Sequence, residues 1–357
     1  MVVSDERYRA RVRGCLLGGA IGDALGAPVE FLSTQRIRER FGDAGLADLV
    51  ETPALITDDT QMTLFTVEGM IRASVRADRG VCHPPSVVYR AYLRWLATQQ
   101  LSEPPAAVSG WLASHQFLYA RRAPGNACLS GLESGRMGTP ADPVNPDSKG
   151  CGAVMRSAPF GLHPRVTAGE AFEMGVECAV LTHGHPSGYL AAGALAAMVN
   201  GLVNTDLELV AAVELALSLL RERPHHEEVT AALEGALFAD RDATPETVER
   251  LGAGWVAEEA LAIGVYAALA HPTDVRRALL VAVNHSGDSD STGSICGNAL
   301  GAWHGENALP ADWVFPLEGR ATILELADDL ALEYLHGSDL HGDYGPYTTW
   351  HDRYPGS

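Results

Sequence analysis

Two stretches of the chain place a glycine at every fourth position, one near each end of the sequence. Residues 7–27 carry Gly14, Gly18, Gly22 and Gly26, and residues 291–305 carry Gly293, Gly297, Gly301 and Gly305. Residues four apart share one face of a helix, so each stretch predicts a helix with a face of nearly bare backbone. Such a face allows another backbone to approach closely. We therefore predict two central helices that pack on each other at a short distance.

The remaining sequence also favours helices. Apolar residues recur every three or four positions in most segments, and no long run alternates as a strand should. The other predicted helices are residues 60–77, 84–100, 167–181, 186–203, 207–220, 228–238, 256–270 and 274–283. We predict one mainly α-helical domain over residues 1–357, with a long loop region at about 101–150 and an irregular C-terminal tail at about 337–357.

The charge balance limits the classes of partner. Acidic side chains outnumber basic ones by 45 to 26, which gives a formal net charge of −19. This balance disfavours nucleic acid or an anionic membrane as the main partner, and no segment shows the about 20 consecutive apolar residues of a membrane span. The six cysteines have no C-x-x-C or zinc-ligand spacing, which is typical of reduced thiols in a cytoplasmic protein.

Two short segments concentrate carboxylate and hydroxyl oxygens. Residues 284–293 place Asp288 and Asp290 two positions apart among serines and threonines, and residues 57–60 read Thr-Asp-Asp-Thr. Hard divalent cations such as Mg²⁺, Mn²⁺ and Ca²⁺ prefer ligands of this kind. Thr57 also fits the N-cap of the helix that follows, which would put its two aspartates in the first turn. An acidic first turn is common for electrostatic reasons alone, so the two segments together carry more information than either one.

Asp288 and Asp290 also match two other known loops. An EF-hand is excluded, because its twelfth position is Ala299 where that loop needs a bidentate Glu. An Asp-x-Asp-x-Thr phosphatase loop fits through Thr292, but such a loop follows a buried strand in a parallel α/β sheet, and the sequence has no βαβ alternation. The phosphatase remains a competing reading, and it predicts an aspartyl-phosphate at Asp288.

Several motifs occur in one order along the chain. They are Gly22-Asp23-Ala24-Leu25-Gly26, Glu30, Thr57-Asp58-Asp59-Thr60, Gly150-Cys151-Gly152-Ala153-Val154-Met155-Arg156, Leu181-Thr182-His183 and Ser286-Gly287-Asp288-Ser289-Asp290-Ser291. In this order the chain resembles the ADP-ribosylglycohydrolase family, of the dinitrogenase-reductase-activating glycohydrolase and ADP-ribosylarginine hydrolase type, over roughly residues 9–305. The resemblance implies an all-α fold, a compact single-domain orthogonal helix bundle.

The resemblance also implies a cofactor and a set of site residues. It implies two Mg²⁺ or Mn²⁺ ions, held by residues matching the family's ligands: Thr57, Asp58, Asp59, Asp288, Asp290 and Ser291. Glu30 matches a glutamate beside the reacting ribose, an acid–base or gating residue. The residues matched to substrate binding are Ser148, Lys149, Gly150, Cys151, Gly152, Met155, His183 and Tyr266. The loop at 148–152 would wrap the pyrophosphate, and Tyr266, together with Trp255, would lie against the adenine, although a core position for Tyr266 is an equal alternative.

Three further residues are expected to have structural roles. We expect Arg156 to form a structural ion pair, and Glu258 and Glu259 to be ordinary charges on a helix surface.

The implied function is hydrolysis of the N-glycosidic bond between ADP-ribose and an arginine side chain. Cys151 and Ser291 stand where several relatives have Asn and Thr, and both variants favour the arginine-directed branch. Two alternatives stay open: hydrolysis of another ADP-ribose linkage (to serine, a nucleobase or an acetyl group), and a protein that binds ADP-ribose without cleaving it. In every case the expected partner is the ADP-ribose moiety of a modified macromolecule or small molecule.

Overall fold

The computed structural model describes residues 4–107, 109–341 and 346–356. These residues form helices and connecting loops, and within these ranges there is no strand, only isolated bridges such as Gly150 with Val256. The α-helices are α1 (Asp5–Gly26), α2 (Thr34–Phe41), α3 (Asp58–Ala77), α4 (Pro84–Gln100), α5 (Asn126–Glu133), α6 (Ala168–Ala179), α7 (Pro186–Asn204), α8 (Leu209–Leu220), α9 (Glu227–Phe238), α10 (Pro245–Glu249), α11 (Ala257–Ala270), α12 (Val275–Val283), α13 (Ser289–His304), α14 (Ala311–Val314), α15 (Arg320–His341) and α16 (Thr349–Arg353). The predicted all-α fold is confirmed. A phosphatase loop, which needs a preceding strand in a sheet, finds no such strand in the described part of the chain.

The glycine faces of α1 and α13 meet at the centre of the molecule. A Cβ placed on Gly18 would lie 2.9 Å from the carbonyl carbon of Gly297, and one on Gly14 would lie 2.6 Å from the carbonyl carbon of Gly305. The helices run antiparallel, because Gly26 at the end of α1 approaches the start of α13. The predicted close packing of these two helices is confirmed, and it joins segments almost 300 residues apart in the sequence.

Helix α15 was not predicted from the sequence. Its apolar residues Ile323, Leu326 and Leu330 are fully buried, and the helix packs against α1 and α3. It reaches His341, and α16 follows within the segment predicted to be an irregular tail. That prediction is wrong for the described part of 337–357; residues 342–345 lie outside the described ranges. Burial of the apolar face of α15 decides the structure there.

Two short helices were not predicted from the sequence. α2 lies before the first acidic segment, and α5 lies within the 101–150 region predicted to be a loop. The described part of that region also contains two single 3₁₀ turns, Leu112–Ser114 and Gln116–Leu118. Because α2 has only one buried residue, Ile37, its apolar pattern is too short to be recognised from the sequence.

Helix α7 has the length and composition of a membrane span, contrary to the expectation from the sequence. It has 19 residues with a mean hydropathy of 1.2. Within the protein, however, 89% of it is buried, and core helices with this composition are common. α7 packs against α6, α8 and α13 and forms the interior of the bundle behind the cleft described below.

Candidate active site in an acidic cleft

The two acidic segments form the first turns of two helices, and the fold brings these turns together. The six residues predicted as metal ligands are Thr57, Asp58 and Asp59 at the start of α3, and Asp288, Asp290 and Ser291 at the start of α13. The hydroxyl of Thr57 donates a hydrogen bond to Oδ2 of Asp290 at 3.3 Å, across 233 residues of sequence. All six are at most 4% exposed. Two helix N-termini therefore point at one cleft, and their partial positive charges favour carboxylates there.

Asp23, in the last turn of α1, holds the start of α3 in place through hydrogen bonds. Its carboxylate accepts the backbone N–H of Thr57 at 3.0 Å and that of Thr60 at 3.1 Å, as well as the Thr60 hydroxyl. It is fully buried, and burial raises its pKa. Because α1 is also packed on α13, Asp23 fixes the start of α3 relative to the start of α13. The sequence motif contained Asp23, but nothing in its spacing identified this bracing contact.

The four carboxylates predicted as metal ligands have no counterions within the described ranges. Within the described ranges no Lys or Arg forms an ion pair with Asp58, Asp59, Asp288 or Asp290, and Oδ1 of Asp59 is buried without a hydrogen-bond partner. Burial, and then repulsion from the neighbouring carboxylates, raises the pKa of Asp58, Asp59 and Asp290 well above the usual range. Four buried carboxylates beside two hydroxyls are a fitting donor set for divalent cations, which would neutralise them.

Glu30 lies beside this cluster on the loop after α1. Its carboxylate, with those of Asp288 and Asp290, forms a group of oxygens within 4.8 Å of one another. Burial, and then the charges of Asp290 and Asp58, raises the pKa of Glu30 to about 9. The side chain is half-buried and faces a cavity of about 430 Å³ that is lined by both acidic segments. In this environment Glu30 can hold a proton near neutral pH.

The glycine-rich loop at residues 148–152 lines the same cavity, next to the acidic cluster. Ser148, Gly150, Cys151, Gly152, Met155 and His183 all line it. The loop is fixed to the residues before α11, because Cys151 N–H donates to the carbonyl of Trp255 at 3.3 Å and Lys149 C=O accepts from Ala257 N–H at 2.8 Å. A Cβ on Gly152 would lie 2.7 Å from Sγ of Cys128 and 3.1 Å from the His183 ring. Only a glycine allows this close approach.

Cys151 and His183 are polar residues that line the cavity at the glycine-rich loop. The thiol of Cys151 donates to Oδ2 of Asp288 at 2.7 Å, and burial, then Asp288, raises its pKa, so it is a neutral donor. Burial, then Arg156, lowers the pKa of His183 to about 3. His183 is therefore a neutral imidazole, with Nδ1 2.8 Å from the hydroxyl of Thr182.

Lys149 does not line the cavity. Its ammonium group forms ion pairs with Glu258 at 2.5 Å and with Glu228 at 2.8 Å. Glu258 is only 7% exposed, so the expectation of an ordinary surface charge is wrong for it. Glu259 accepts the backbone N–H groups of Ala253 and Gly254, and is likewise a structural residue. These contacts hold the loop in place rather than meet a ligand.

Arg156 is buried without an acidic partner. Its guanidinium donates to the carbonyl of Gly152 at 2.8 Å and to the hydroxyl of Thr182 at 2.7 Å, and it lies 4.4 Å from the ring centre of Tyr92. Within the described residues it forms no ion pair, so the prediction of one is wrong. Carbonyl, hydroxyl and aromatic groups satisfy the charge instead, and they place it directly behind the glycine-rich loop.

Tyr266 lies in the core and does not line the cavity. It is fully buried, and its hydroxyl donates to the carbonyl of Asp240 at 2.7 Å. The aromatic residues at the cavity are Trp255 and Phe31, whose rings stack at 5.0 Å between centroids. They are 40% and 65% exposed. Phe31 could not be identified from the sequence, because one apolar residue after a turn is common.

The chain is similar to several known proteins along most of its length. The family model described as ADP-ribosylglycohydrolase matches residues 4–339. An ADP-ribosyl-[dinitrogen reductase] glycohydrolase of Rhodospirillum rubrum is 26% identical, with 86% of this chain and 90% of that protein covered. An ADP-ribosylarginine hydrolase Tri1 of Pseudomonas putida is 24% identical, with 92% and 80% covered. A solved chain of an ADP-ribosylglycohydrolase-related protein complex has the same fold, with a TM-score of 0.66, 24% identity, and 92% of this chain and all of that chain covered.

Proposed function

The chain belongs to the ADP-ribosylglycohydrolase family, and on that premise we propose that it is a metal-dependent hydrolase that removes ADP-ribose from modified arginine side chains. The observation that carries the proposal is the cleft itself. Two acidic helix N-termini, the carboxyl group of Glu30 with its raised pKa, and the glycine-rich loop all line one cavity. A family fold retained only for binding would not need four buried carboxylates without counterions, because such a cluster is costly to bury.

Two Mg²⁺ or Mn²⁺ ions would be held by Thr57, Asp58, Asp59, Asp288, Asp290 and Ser291. When bound, they would neutralise the carboxylates and bind water and ribose hydroxyls. Oxygen ligands suit both metals. The sulfur of Cys151 is 2.7 Å from Asp288 and orients that carboxylate through its hydrogen bond.

The other residues that line the cavity fit the rest of ADP-ribose. We assign the pyrophosphate to the loop at Ser148–Gly152, where small side chains let a ligand approach the backbone. His183 supplies a neutral donor there, and the buried charge of Arg156 lies behind the loop and favours an anion in front of it. The stacked rings of Trp255 and Phe31, rather than Tyr266, are in position to contact the adenine.

Cleavage breaks the bond between C1′ of the ribose and a nitrogen of the arginine guanidinium. A water oxygen forms the new bond to C1′, and one proton of that water must finally reach the departing nitrogen. Glu30 has the position for this transfer, since it faces the cavity and holds a proton readily. General acid–base catalysis by a positioned carboxyl group commonly contributes about 10²- to 10⁴-fold in rate.

Turnover of a defined substrate panel tests this proposal. The purified protein is assayed with Mg²⁺ or Mn²⁺ on ADP-ribosylated arginine, serine and nucleobase substrates and on O-acetyl-ADP-ribose. We expect release of ADP-ribose from arginine at the highest kcat/KM. The variant carrying Asp288→Ala and Asp290→Ala should lose both turnover and dinuclear metal binding, whereas Asp43→Ala, at an exposed loop position, should retain both.

Three results would overturn the proposal. Retained turnover in the double variant would remove the acidic cluster from the reaction. Preference for a different linkage would replace arginine as the substrate class. Tight calorimetric binding of ADP-ribose with no turnover of any member of the panel would make the protein a binding protein.

A further inference from the structure

A second group of metal-ligating side chains lies at the other end of α3. Asp78 follows the last residue of α3, and Glu333 and His341 lie on α15. One ligand atom from each is within 4.8 Å of the other two. Since α3 has 20 residues, this group is about 30 Å from the acidic cleft, at 1.5 Å per helical residue. The family match ends at residue 339, so His341 lies outside the part of the chain that the family describes.

The distances in this group match those between the ligands of one ion. Nε2 of His341 is 3.2 Å from Oε1 of Glu333 and 3.7 Å from Oδ2 of Asp78. Ligand atoms about 2.1 Å from a tetrahedral Zn²⁺ lie about 3.4 Å apart, which falls between these two values. Little movement of the side chains is needed for all three to bind one ion.

The surroundings of the group favour a ligand as well. Trp350 Nε1 donates to Oε2 of Glu333 at 2.8 Å, which orients that carboxylate, and both of its oxygens lie 3.2 Å from Nε2 of His341. Gly337 lies next to Glu333 and His341. A Cβ on Gly337 would be 3.1 Å from Oε1 of Glu333 and 3.3 Å from Nε2 of His341. An orienting hydrogen bond from a neighbouring group is a regular feature of metal sites, and the missing side chain leaves room beside both ligand atoms.

Two buried imidazoles at the group have unused nitrogens. Within the described residues, Nδ1 of His341 and Nε2 of His351 are buried without a hydrogen-bond partner, and the two residues are 2% and 4% exposed. Their rings meet edge to face with 5.6 Å between centroids. Buried polar atoms are rarely left without a partner, so the described residues do not fully pair the polar groups around these two rings. The side chain of Asp78 is 35% exposed and provides access from solvent.

We propose that Asp78, Glu333 and His341 form a second metal site, specific for a divalent transition metal of the Zn²⁺ class. One imidazole and two carboxylates suit Zn²⁺ and its neighbours, whereas Mg²⁺ prefers oxygen ligands alone. The bound ion fastens the end of α15 to α3, and through Trp350 and His351 it also fastens the segment containing α16. This site is independent of the proposed hydrolysis, since none of its residues lines the acidic cavity.

Zinc content measured in the presence of excess Mg²⁺ tests this site without an activity assay. The full chain is stripped of metal, dialysed against micromolar ZnCl₂ with millimolar MgCl₂ to occupy the acidic cleft, and analysed for zinc per chain. We expect His341→Gln to hold one zinc less than the wild type. His336→Gln is the matched control, because His336 lies on the same helix but is 47% exposed and pairs with Asp5; it should hold as much zinc as the wild type.

A second variant keeps the test decisive if His341→Gln fails to fold. Asp78→Asn changes a partly exposed ligand, and it should weaken zinc binding by at least about tenfold while the far-UV circular dichroism stays that of the wild type. Equal zinc content in the wild type and His341→Gln, or unchanged zinc affinity in Asp78→Asn, would overturn the proposal. Those results would make the group a set of hydrogen-bonded side chains that holds no metal.

Discussion

Among single residues, Glu30 connects the geometry of the cleft most directly to its chemistry. It is half-buried next to carboxylates that oppose its ionisation, and its pKa is raised to about 9. Divalent cations in the cluster would lessen that repulsion, which would bring its pKa closer to neutral pH. A carboxyl group with a pKa near the working pH can both release and accept a proton.

Replacing Glu30 with Gln tests this role. The amide has nearly the same shape but cannot transfer the proton, so we expect kcat on ADP-ribosylated arginine to fall about 10²- to 10⁴-fold with manganese binding unchanged. Steady-state kinetics and calorimetric titration of Mn²⁺ measure the two effects. Glu39→Gln, on the exposed side of α2, should behave as the wild type. Loss of manganese binding together with turnover would instead make Glu30 a metal ligand.

His163 gives a pH dependence of stability that is separate from the cleft. Its ring lies 4.2 Å from that of Tyr334, and burial lowers its pKa to about 4. Between pH 6.5 and about 4 the unfolded chain therefore binds a proton that the folded chain does not bind. Stability at this residue is present above pH 6.5 and is lost as the pH falls through that window.

The variant His163→Asn should remove this dependence. Its amide can still accept the hydrogen bond from the backbone N–H of Arg165 but does not titrate. The free energy of unfolding should fall between pH 7 and pH 5 by about 1–2 kcal/mol less in the variant than in the wild type. Urea unfolding at both pH values measures the difference. Identical losses in both proteins would show that His163 titrates normally.

Residues in the cleft were predictable where their chemistry is uncommon. Two segments of aspartates beside hydroxyl residues favour a cation site more than either segment alone, and the fold brings Thr57 and Asp290 into contact. Lys149 and Tyr266 have many alternative roles, and the sequence contained no information on which side of the loop or of α11 they face. Glu258 and Asp240 decide their positions through long-range contacts.

At the level of helices, α1 and α13 form the frame on which the cleft depends. Their glycine faces let the end of α1 reach the start of α13, and Asp23 then ties the start of α3 to the same point. The spacing of the acidic segments is thus set by backbone contact between two helices rather than by the loops that carry Glu30 or Cys151.

Leucine at Gly18 or at Gly297 should therefore destabilise the whole protein. A side chain at either position would meet the backbone of the opposite helix, which cannot move aside without separating α1 from α13. We expect each variant to lose several kcal/mol and to melt roughly 10 °C lower, as measured by differential scanning calorimetry. Gly235→Leu is the control, because Gly235 is exposed within α9 with its nearest neighbour 3.6 Å away. Wild-type melting of both central variants would contradict this account of the frame.

Helices were predictable from the sequence where a long pattern specifies them. The glycine repeat and the apolar periodicity identified α1, α3, α4 and α13 to within a few residues. α2 and α5 have eight residues each, too few for a pattern to stand out. α15 is bent at His336, which has φ −135° and ψ 19°. The apolar pattern of the helix is therefore interrupted there, and its last turns do not continue the pattern of the first ones.

For the molecule as a whole, the fold converts two distant acidic segments into one site. The packing of α1 on α13 brings the two ends of the sequence together, and α7 packs against α13 in the interior. Hydrogen bonds fix the glycine-rich loop to the start of α11. Each of these elements meets the cavity at a helix end or a loop, while the helical cores supply rigidity.

The central claim is that the starts of α3 and α13 jointly hold metal ions beneath the bound sugar. Its most direct test is a crystal of this protein soaked with Mn²⁺ and ADP-ribose and measured at the manganese absorption edge. We expect two anomalous peaks bounded by Thr57, Asp58, Asp59, Asp288, Asp290 and Ser291, with the ribose next to them and Glu30 beside it. Manganese bound elsewhere, or ADP-ribose bound away from these residues, would contradict it.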